Sequence, residues 1–416
     1  MSVKKMLILL VMEFILCYVN GHEEKSSLAF VIDRTNSMGK EISQVKKTTD
    51  KIFDNVINSN TSHIDNFVLV TFDDPNVQLR AVTRDRDEFK NALNEIELVK
   101  GRDCPEVSMS GIEQALESTH PNSFLYVFTD ASASDYKKME VVKNLSQKKA
   151  TQVNFLLTGH CRFASKKRFV VYDELAEATS GHVFNIEKDD VAKVIDFVAN
   201  SLKSKITILN RKHFVDGFDQ KLKFTIDSKI SDVFICASSI DPDITVFSSD
   251  GKEVEVEQFL STEKNKIVKL KNEIKGVYFI KLNTKVKTLV TISASTTICF
   301  QHGFSTVLPT SLKETSIKPS GKITDKHFLS IELYNSARDV SLETVDLVDE
   351  NENILSTEIL KLQNDEQQFY VTEPFDVPFT TFRIAIHGFT KSKEKITRVT
   401  TTTIEHPNPD IVKIGN

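Results

Sequence analysis

The sequence predicts an α/β domain with a doubly wound, mostly parallel sheet, followed by two β-sandwich-like domains. In the first half, continuous apolar runs alternate with amphipathic segments, as expected of strands that are buried on both faces and joined by crossover helices. After residue 204 apolar and polar residues alternate with a period of two, which is typical of antiparallel strands. A chain of 416 residues is long enough for two or three domains.

The first half contains strand candidates and helix candidates in regular alternation. The strand candidates are LAFVID (28–33), FVLVTF (67–72), SFLYVFTD (123–130), QVNFLLTG (152–159) and HVFNI (182–186). The helix candidates are residues 39–58, 86–98, 108–119, 136–148, 169–179 and 189–203. This alternation assigns residues 22–204 to the α/β domain.

Two groups of strand candidates follow in the second half. The first group is 220–226, 244–256, 276–282 and 287–294, and the second is 327–334, 341–348, 354–362 and 380–389. Asp250-Gly251 predicts a tight hairpin within the first group. A connector with Pro309, Pro319 and Gly321 separates the groups, so we predict β-sandwich-like domains at 205–305 and 306–416.

The amino terminus has the pattern of a secretory signal peptide. Lys4 and Lys5 precede an apolar run from residue 6 to residue 18 that only Glu13 interrupts, and small residues follow it. This predicts a signal peptide at residues 1–21, too short for a membrane span, and no later segment has membrane length. We therefore expect a secreted, extracellular protein.

The cysteines fit an oxidising compartment. Once Cys17 is removed with the signal peptide, Cys104, Cys161, Cys236 and Cys299 remain, and an even number predicts two disulfides. Cys104 and Cys161 both lie on predicted loops, which favours a bridge between them. Cys236 and Cys299 lie in apolar strand-like segments, where a bridge and two buried thiols are the alternatives.

Surface features also fit an extracellular protein. The sequences NTS at Asn60 and NLS at Asn144 are acceptors for N-linked glycosylation. The net charge of -5 is mild and no block of Lys or Arg occurs, so nothing predicts binding to nucleic acid or to a charged membrane.

Polar oxygen groups follow two of the predicted strands at the point where each strand ends. Asp33 closes the first strand, Thr35 and Ser37 follow it, and Asp130 closes SFLYVFTD in the same way. Since the carboxyl ends of parallel strands meet at one edge of a sheet, we expect these side chains to lie close together. Carboxylate and hydroxyl oxygens suit Mg²⁺, Mn²⁺ or Ca²⁺, although each residue taken singly has an alternative as a helix cap or turn residue.

A third loop, KGRDCPEVSMS, precedes the predicted helix at 108–119. It offers four oxygen-bearing side chains, those of Asp103, Glu106, Ser108 and Ser110. We select Asp103 as the ligand from this loop, which would place three acids from separate loops at one edge.

The stretch DRTNS (33–37) resembles the Asp-x-Ser-x-Ser metal-ion-dependent adhesion site of von Willebrand factor A domains. GRDCPEVSMSGIEQALE, FLYVFTDASASDY and VNFLLTGHC resemble the hemicentin branch of that family, and the likeness continues through both β regions. The immunoglobulin array typical of hemicentins does not follow in this sequence. The resemblance implies a calcium- or magnesium-dependent extracellular adhesion or matrix function.

The resemblance can be carried over residue by residue. Asp33, Thr35, Ser37 and Asp130 match the metal-site motif, with Thr35 in place of the commoner serine. Many family members have threonine in the middle loop, and this chain departs from that pattern, which leaves Asp103 as a choice among the side chains of that loop.

Enzymatic function is the main alternative, and the sequence argues against it. DRTNS also resembles the Asp-Lys-Thr-Gly-Thr motif of phosphoryl-transferring ATPases, but Arg34 replaces the motif lysine and no Gly-Asp-Gly loop occurs. The chain lacks G-x-S-x-G, P-loop and G-x-G-x-x-G signatures, and its histidines are dispersed.

The predicted function is binding to an extracellular protein. A divalent cation held by few direct carboxylates keeps open positions, which an acidic side chain of the partner would fill. The alternative is a structural extracellular protein with a vestigial metal site, which binds through its β domains.

Overall fold

The structure is a computed structural model. It describes residues 26–57, 64–100, 104–159, 167–201, 206–214, 217–238, 240–262, 264–284, 286, 288–320, 325–334, 339–349, 352–401 and 403–406. The predicted signal peptide lies outside the described residues, as do Asn60, Asp103 and Cys161. No helix in the described ranges is long and apolar enough to cross a membrane.

A six-stranded sheet forms the centre of the first domain. Its strands are β1 (Ser26–Asp33), β2 (Ile64–Asp73), β3 (Asn76–Thr83), β4 (Phe124–Thr129), β5 (Gln152–Leu157) and β6 (Val183–Asn185). The strand order is β3-β2-β1-β4-β5-β6. Only the β2–β3 pair of this sheet is antiparallel, which confirms the predicted doubly wound, mostly parallel α/β fold.

Helices cover both faces of this sheet. They are α1 (Gly39–Ile57), α2 (Arg86–Asn94), α3 (Ser108–Ser118), α4 (Met139–Lys148), α5 (Lys167–Ala178) and α6 (Val191–Ser201). Successive side chains of a strand point to opposite faces, so Phe30 packs with the core under α1, α2 and α6, whereas Val31 packs with the core under α3, α4 and α5. Burial on both faces explains why the strands read as continuous apolar runs.

The edge strand β3 was not predicted from the sequence. It lies at the end of the sheet and most of its side chains are exposed or half-buried, so it lacks the apolar run of the central strands. It follows Pro75, which reads as a loop signal in the sequence.

Two groups of antiparallel strands follow. The first is β7 (Ile206–Phe214), β8 (Gly217–Ile226), β9 (Ile230–Ser238), β10 (Asp243–Ser248), β11 (Val256–Ser261), β12 (Asn265–Leu270), β13 (Gly276–Thr284) and β14 (Thr288–Thr296). The second is β15 (Cys299–Ser305), β16 (Phe328–Tyr334), β17 (Val340–Val348), β18 (Ile354–Ile359), β19 (Lys361–Asn364), β20 (Phe369–Val371), β21 (Thr381–Thr390), β22 (Lys395–Val399) and β23 (Ile404–Glu405).

Each group packs as two layers around its own apolar core. In the first, the sheet β10-β13-β8 faces β11-β12-β9-β14-β7, and Ile235 and Ile280 are among the buried side chains between them. In the second, the sheet β15-β16-β20-β19 faces β22-β21-β17-β18, with Ile331 and Ile384 in the core. The larger layers of the two sandwiches form one continuous sheet, because Val399 of β22 pairs with Ile208 of β7.

The strand pairing corrects two sequence predictions. β15 lies inside the predicted domain 205–305, but it pairs with β16 of the second sandwich, so the second sandwich begins before residue 306. The predicted strand 354–362 is two strands, since β18 pairs with β17 in one layer and β19 pairs with β20 in the other. Leu360 lies between them and is buried, which explains why the apolar pattern continues through the break.

The α/β domain shares a core with the first sandwich. Phe197 of α6 contacts Phe234 of β9, with ring centroids 5.3 Å apart. Cys236, Leu260 and Ile267 of the sandwich belong to the same buried cluster. The boundary near residue 204 is therefore a packed interface, and the α/β domain does not complete this core alone.

The predicted disulfide between Cys236 and Cys299 is wrong. Both side chains are buried and neither is disulfide-bonded. Cys236 lies in the middle of β9, against the α/β domain, whereas Cys299 begins β15 in the other sandwich. The strands that carry them belong to different sheets, which keeps the two thiols apart.

Candidate metal centre

The predicted site lies at the carboxyl edge of the six-stranded sheet. β1 and β4 are parallel neighbours, with Ile32 paired with Phe128, so Asp33 and Asp130 follow adjacent strand positions. This register brings together two acids that are 97 residues apart in the sequence (130 − 33). The two acids therefore lie at the same edge of the sheet, as expected from the sequence.

Asp33 is completely buried and accepts three hydrogen bonds. Its Oδ1 accepts from the Thr35 backbone N–H at 2.9 Å and from Thr35 Oγ1 at 2.7 Å, and its Oδ2 accepts from Thr129 Oγ1 at 2.8 Å. Burial raises the pKa of Asp33 to about 6, even though these hydrogen bonds favour the charged form. A nearby cation would stabilise the charged form of a carboxylate that is buried in this way.

The four matched residues form one chain of oxygen atoms, which we call the rim (Asp33, Thr35, Ser37 and Asp130). Thr35 Oγ1 lies 2.7 Å from Asp33 Oδ1 and 3.2 Å from Ser37 Oγ. Ser37 Oγ in turn donates to Asp130 Oδ1 at 3.0 Å. The structure thus brings together all four side chains that the sequence singled out at the two strand ends.

The rim fits a hard divalent cation. Neighbouring oxygens around an octahedral Mg²⁺ are roughly 3 Å apart, given metal–oxygen bonds of about 2.1 Å. The rim spacings of 2.7, 3.0 and 3.2 Å match this separation. Two carboxylates and two hydroxyls are also the oxygen donors that Mg²⁺ and Ca²⁺ prefer. Among the described residues, no three His, Cys, Asp or Glu side chains are grouped as a metal site, so a cation here would depend on the hydroxyls.

The structure describes the third loop from Cys104 onwards. Asp103 lies outside the described residues, so its role stays a prediction. Ser108 Oγ shares a hydrogen bond of 2.8 Å with Tyr172 Oη, and Ser110 Oγ donates to Asp135 Oδ2 at 2.6 Å. The hydroxyls of this loop are therefore engaged away from the rim.

Glu106 is the buried acid of this loop. Its Oε2 accepts from the Asp74 backbone N–H, and its buried Oε1 has no hydrogen-bond partner. Burial raises the pKa of Glu106 to about 8, and the negative charges of Asp33 and Asp74 add to the effect. Burial therefore favours the protonated, uncharged form of Glu106.

The loop is braced beside the rim. Cys104 is disulfide-bonded, and its predicted partner Cys161 lies outside the described residues, so the pairing stays a prediction. The Glu106 backbone N–H donates to Ser132 O at 2.9 Å, and the Ser134 N–H donates to Glu106 O at 2.7 Å. These bonds tie the loop to the segment that follows Asp130.

Sequence reasoning missed two charged residues at the same edge. Lys188 Nζ lies 3.1 Å from Asp130 Oδ2 and 2.8 Å from Glu41 Oε1. Lys188 comes shortly after β6, so the strand-end reasoning used for Asp33 and Asp130 would also have pointed to it. Glu41 carried no comparable signal, because an acid in the first turn of a helix is an ordinary feature.

Of the two predicted glycosylation sites, the structure describes the one at Asn144. Asn144 is exposed on α4, and its side-chain oxygen accepts from Lys318 Nζ at 3.2 Å. Ser146 of the same acceptor sequence is buried and donates to Val142 O at 2.8 Å. Glycosylation at Asn60 and Asn144 stays a prediction.

Comparison with known proteins agrees with the fold of the first domain. The family model described as "von Willebrand factor A domain" matches residues 27–188. Hemicentin-2 of Mus musculus is 31% identical over 381 residues, which cover 87% of this chain and 7% of the relative. Residues 27–188 form a von Willebrand factor A domain, and the chain is homologous to hemicentins. Hemicentin-1 of Homo sapiens is 28% identical over 400 residues, which cover 94% of this chain and 7% of the relative.

The regions beyond the von Willebrand factor A domain (the A domain below) have their own match. The family model described as "Secretion system C-terminal sorting domain" matches residues 220–292, which comprise most of the first sandwich.

The solved structure of proximal thread matrix protein 1 from the mussel byssus is 16% identical, with a TM-score of 0.33, over 43% of this chain and 46% of that chain. At these values the likeness to that structure says nothing about function. The chain spans about 7% of the length of the hemicentins that it matches.

Proposed function

We propose that this chain is a secreted adhesion-type protein that binds an extracellular protein through a divalent cation, Mg²⁺ or Ca²⁺, held at the rim of its A domain. The main support is the unbroken oxygen chain from Asp33 through Thr35 and Ser37 to Asp130, with spacings of 2.7 to 3.2 Å. The homology to hemicentins supports an extracellular adhesion-type role, and no catalytic function is proposed.

The donor set supports recognition of an acidic partner. Four side-chain oxygens leave positions of a six-coordinate ion to water. The cation would supply an electrophilic point that attracts a carboxylate, and an Asp or Glu of the partner would replace one water. The side chains of Asp33 and Thr35 are buried, whereas Ser37 is half-buried, so the partner would approach from the Ser37 side.

Secretion rests on two observations. The first is the signal-peptide pattern of residues 1–21, and the second is the homology to hemicentins over most of the chain. The sorting-domain match at 220–292 is consistent with export.

The first experiment measures cation binding to the full chain by calorimetry, using Asp33→Asn as the decisive variant. The substitution removes the charge, and the Asn oxygen keeps the ability to accept from Thr35. Burial raises the pKa of Asp33 to about 6, so a neutral side chain is well tolerated there. We expect Asp33→Asn to lose cation binding with little loss of stability, while Asp87→Asn, at an exposed position of α2, binds as the native chain does. Native cation affinity in Asp33→Asn would refute the metal assignment.

The second experiment captures partners from extracellular material on the immobilised full chain. We expect Mg²⁺ or Ca²⁺ to retain a protein that EDTA releases, and that Asp33→Asn fails to retain. The full chain is used because α6 packs against the first sandwich, so the isolated A domain would expose Phe197.

An alternative binding surface lies on the second sandwich. The edge strand β18 and the adjoining β19 carry exposed apolar side chains, with Ile354 62%, Ile359 68% and Leu362 46% exposed. An edge strand of this kind can accept a strand of a partner without a metal ion. A partner that stays bound in EDTA and is released by Ile359→Lys would favour this surface and a vestigial metal site.

A further inference from the structure

Lys188 places a positive charge directly on the rim. It lies in the 3₁₀ turn Lys188–Asp190, between β6 and α6. Its ammonium donates to Ser37 O at 2.7 Å and to Asp130 Oδ2 at 3.1 Å, and it lies 2.8 Å from Glu41 Oε1. An ammonium has three donors, and each of them has an acceptor here.

Two of these acceptors belong to rim residues. Asp130 divides its oxygens, with Oδ1 accepting from Ser37 Oγ and Oδ2 accepting from Lys188. A divalent cation at the rim would share Asp130 with Lys188, so the two positive charges would oppose each other. A charge within about 4–6 Å shifts the pKa of a carboxylate by about 1–3 units, which is roughly a tenfold to thousandfold change in its proton affinity. We expect the positive charge of Lys188 to lower the affinity for a divalent cation as well.

The third acceptor explains why a lysine is held at this position. Glu41 is 1% exposed, and its Oε2 has no hydrogen-bond partner. Its Oε1 accepts from Thr158 Oγ1 at 2.6 Å as well as pairing with Lys188. A buried carboxylate of this kind needs a counter-ion, and Lys188 supplies one while reaching the rim.

The Lys188 side chain can leave the rim without moving its turn. Gln44 of α1 holds the backbone, because its Nε2 donates to Lys188 O and its Oε1 accepts from the Ala192 N–H at 3.0 Å. The Lys188 side chain is itself 31% exposed, so rotation about its stem carries the ammonium into water. The backbone anchor and the exposed stem together describe a side chain that can alternate between two positions.

We propose that Lys188 is a built-in counter-cation of the rim, which lowers the affinity for the divalent cation as long as its ammonium stays on Asp130. This inference rests on the proposed metal function and adds a residue that sets its strength. The site would consequently fill at higher cation concentrations than a rim without this positive charge.

The test compares Mg²⁺ and Ca²⁺ binding by calorimetry in the native full chain and in Lys188→Met. Methionine keeps the length of the stem and removes the charge. We expect the dissociation constant to fall at least about tenfold. Lys40→Met is the matched control, since Lys40 is a nearby exposed lysine that pairs with Asp189 at 3.4 Å and does not touch the rim. An unchanged affinity in Lys188→Met, or an equal gain in Lys40→Met, would overturn the inference.

A second variant covers the chance that Lys188→Met does not fold, because it leaves Glu41 without its counter-ion. The double variant Glu41→Gln with Lys188→Met removes both charges and should bind the cation more tightly than the native chain, although less tightly than Lys188→Met, because the negative charge of Glu41 is lost as well. If the native chain binds the cation and neither variant binds it more tightly, the inference fails and the proposed function stands. If no form of the chain, including both variants, binds a divalent cation, the proposed function fails as well.

Discussion

At the scale of single residues, the rim shows how the chain tolerates a buried carboxylate. Asp33 loses all contact with water, and three hydrogen bonds from Thr35 and Thr129 replace its hydration. Its pKa, raised to about 6, shows that the compensation is incomplete. A cation at the proposed site would stabilise the charged form of Asp33, which agrees with the spacing of the rim oxygens.

Thr35→Val tests the contribution of a hydroxyl to the rim. Valine keeps the branched shape but cannot coordinate a cation or bridge Asp33 and Ser37. We expect cation affinity to fall about tenfold, or roughly 1.4 kcal/mol, with a stability loss of about 1 kcal/mol. Calorimetry and urea unfolding measure the two effects.

The control for that variant is Thr119→Val. Thr119 is also buried, and its hydroxyl donates to Leu116 O at 3.0 Å at the end of α3. It should show the stability loss with native cation affinity. Equal affinities in Thr35→Val and the native chain would remove the hydroxyl from the site.

The burial of the neutral His182 side chain predicts that the folded chain loses stability in acid. Burial, with a smaller contribution from the positive charge of Arg211, lowers its pKa from 6.5 to about 3. Between these pH values the unfolded chain binds one more proton at this residue than the folded chain, so stability falls as the pH falls below 6.5. From pH 7 to pH 5 the loss due to His182 is about 2 kcal/mol.

Urea unfolding of the native chain and of His182→Gln at both pH values measures this contribution. The variant cannot titrate at this position, so its stability should fall by about 2 kcal/mol less over the same interval. Identical pH dependences in the two proteins would contradict the burial of a neutral imidazole.

At the scale of elements, the ends of the parallel strands define the site. Asp33 ends β1, and Asp130 follows β4. The strand β5 pairs with β4 on the side away from β1, so its end lies next to Asp130. Gly159, just beyond β5, approaches Asp130 so closely that a Cβ there would lie 2.7 Å from the Asp130 Cβ. The position of one rim residue, Asp130, therefore depends on the glycine that follows the neighbouring strand β5.

Gly159→Ala should displace Asp130. The added methyl group would also lie 3.0 Å from the Asp130 carbonyl oxygen, so the backbone has to move. We expect cation affinity to fall about tenfold, with about 1 kcal/mol of lost stability. Calorimetry on the purified full chain measures the first effect, and urea unfolding the second.

Gly39→Ala is the matched control for this prediction. Its Cβ would lie 3.2 Å from Leu98 Cδ1, the end of a flexible side chain, at the start of α1 next to the rim. It should retain native affinity. A Gly159→Ala protein that binds the cation normally would show that Asp130 has more freedom than the packing indicates.

At the scale of the whole molecule, the three units are joined by shared structure. The A domain and the first sandwich share an apolar cluster, and the two sandwiches share a sheet through Ile208 and Val399. Arg398 of β22 adds a buried ion pair across the sandwiches, donating to both carboxylate oxygens of Asp227 at 2.7 and 2.9 Å. We therefore expect the sandwiches to unfold together.

Asp227→Asn should strongly destabilise the chain. It leaves the Arg398 guanidinium, which is 1% exposed, without its counter-ion. Removing one partner of a buried pair costs about 3–5 kcal/mol. Urea unfolding should show this loss in a single transition.

Asp339→Asn is the surface control for the ion pair. Asp339 is 53% exposed and pairs with Lys229 at 3.7 Å, a contact worth less than about 1 kcal/mol. Similar losses in the two variants, or two separate transitions in Asp227→Asn, would contradict the proposed joint between the sandwiches.

Local pattern was enough to predict the A domain and most of the rim. Parallel strands buried on both faces leave continuous apolar runs, and Asp33, Thr35 and Ser37 lie within five residues of one another, so both signals survive in the sequence. The strand-end rule then adds Asp130 from a neighbouring strand. The sandwiches were predicted from their period of two, because alternating burial is also a local property.

Only the tertiary structure shows how the three units are joined and which side chains Lys188 contacts at the rim. The pairing of β7 with β22 and the ion pair of Asp227 with Arg398 join segments far apart in the chain. Helix α6 packs on the first sandwich through the contact of Phe197 with Phe234. Lys188 follows β6, so the strand-end rule indicates its edge of the sheet, but its contacts with Asp130 across 58 residues and with Glu41 across 147 residues (188 − 41) depend on the folded structure. Such contacts leave no periodic trace in the sequence, because they depend on where the chain returns in space and not on which residues are neighbours along it.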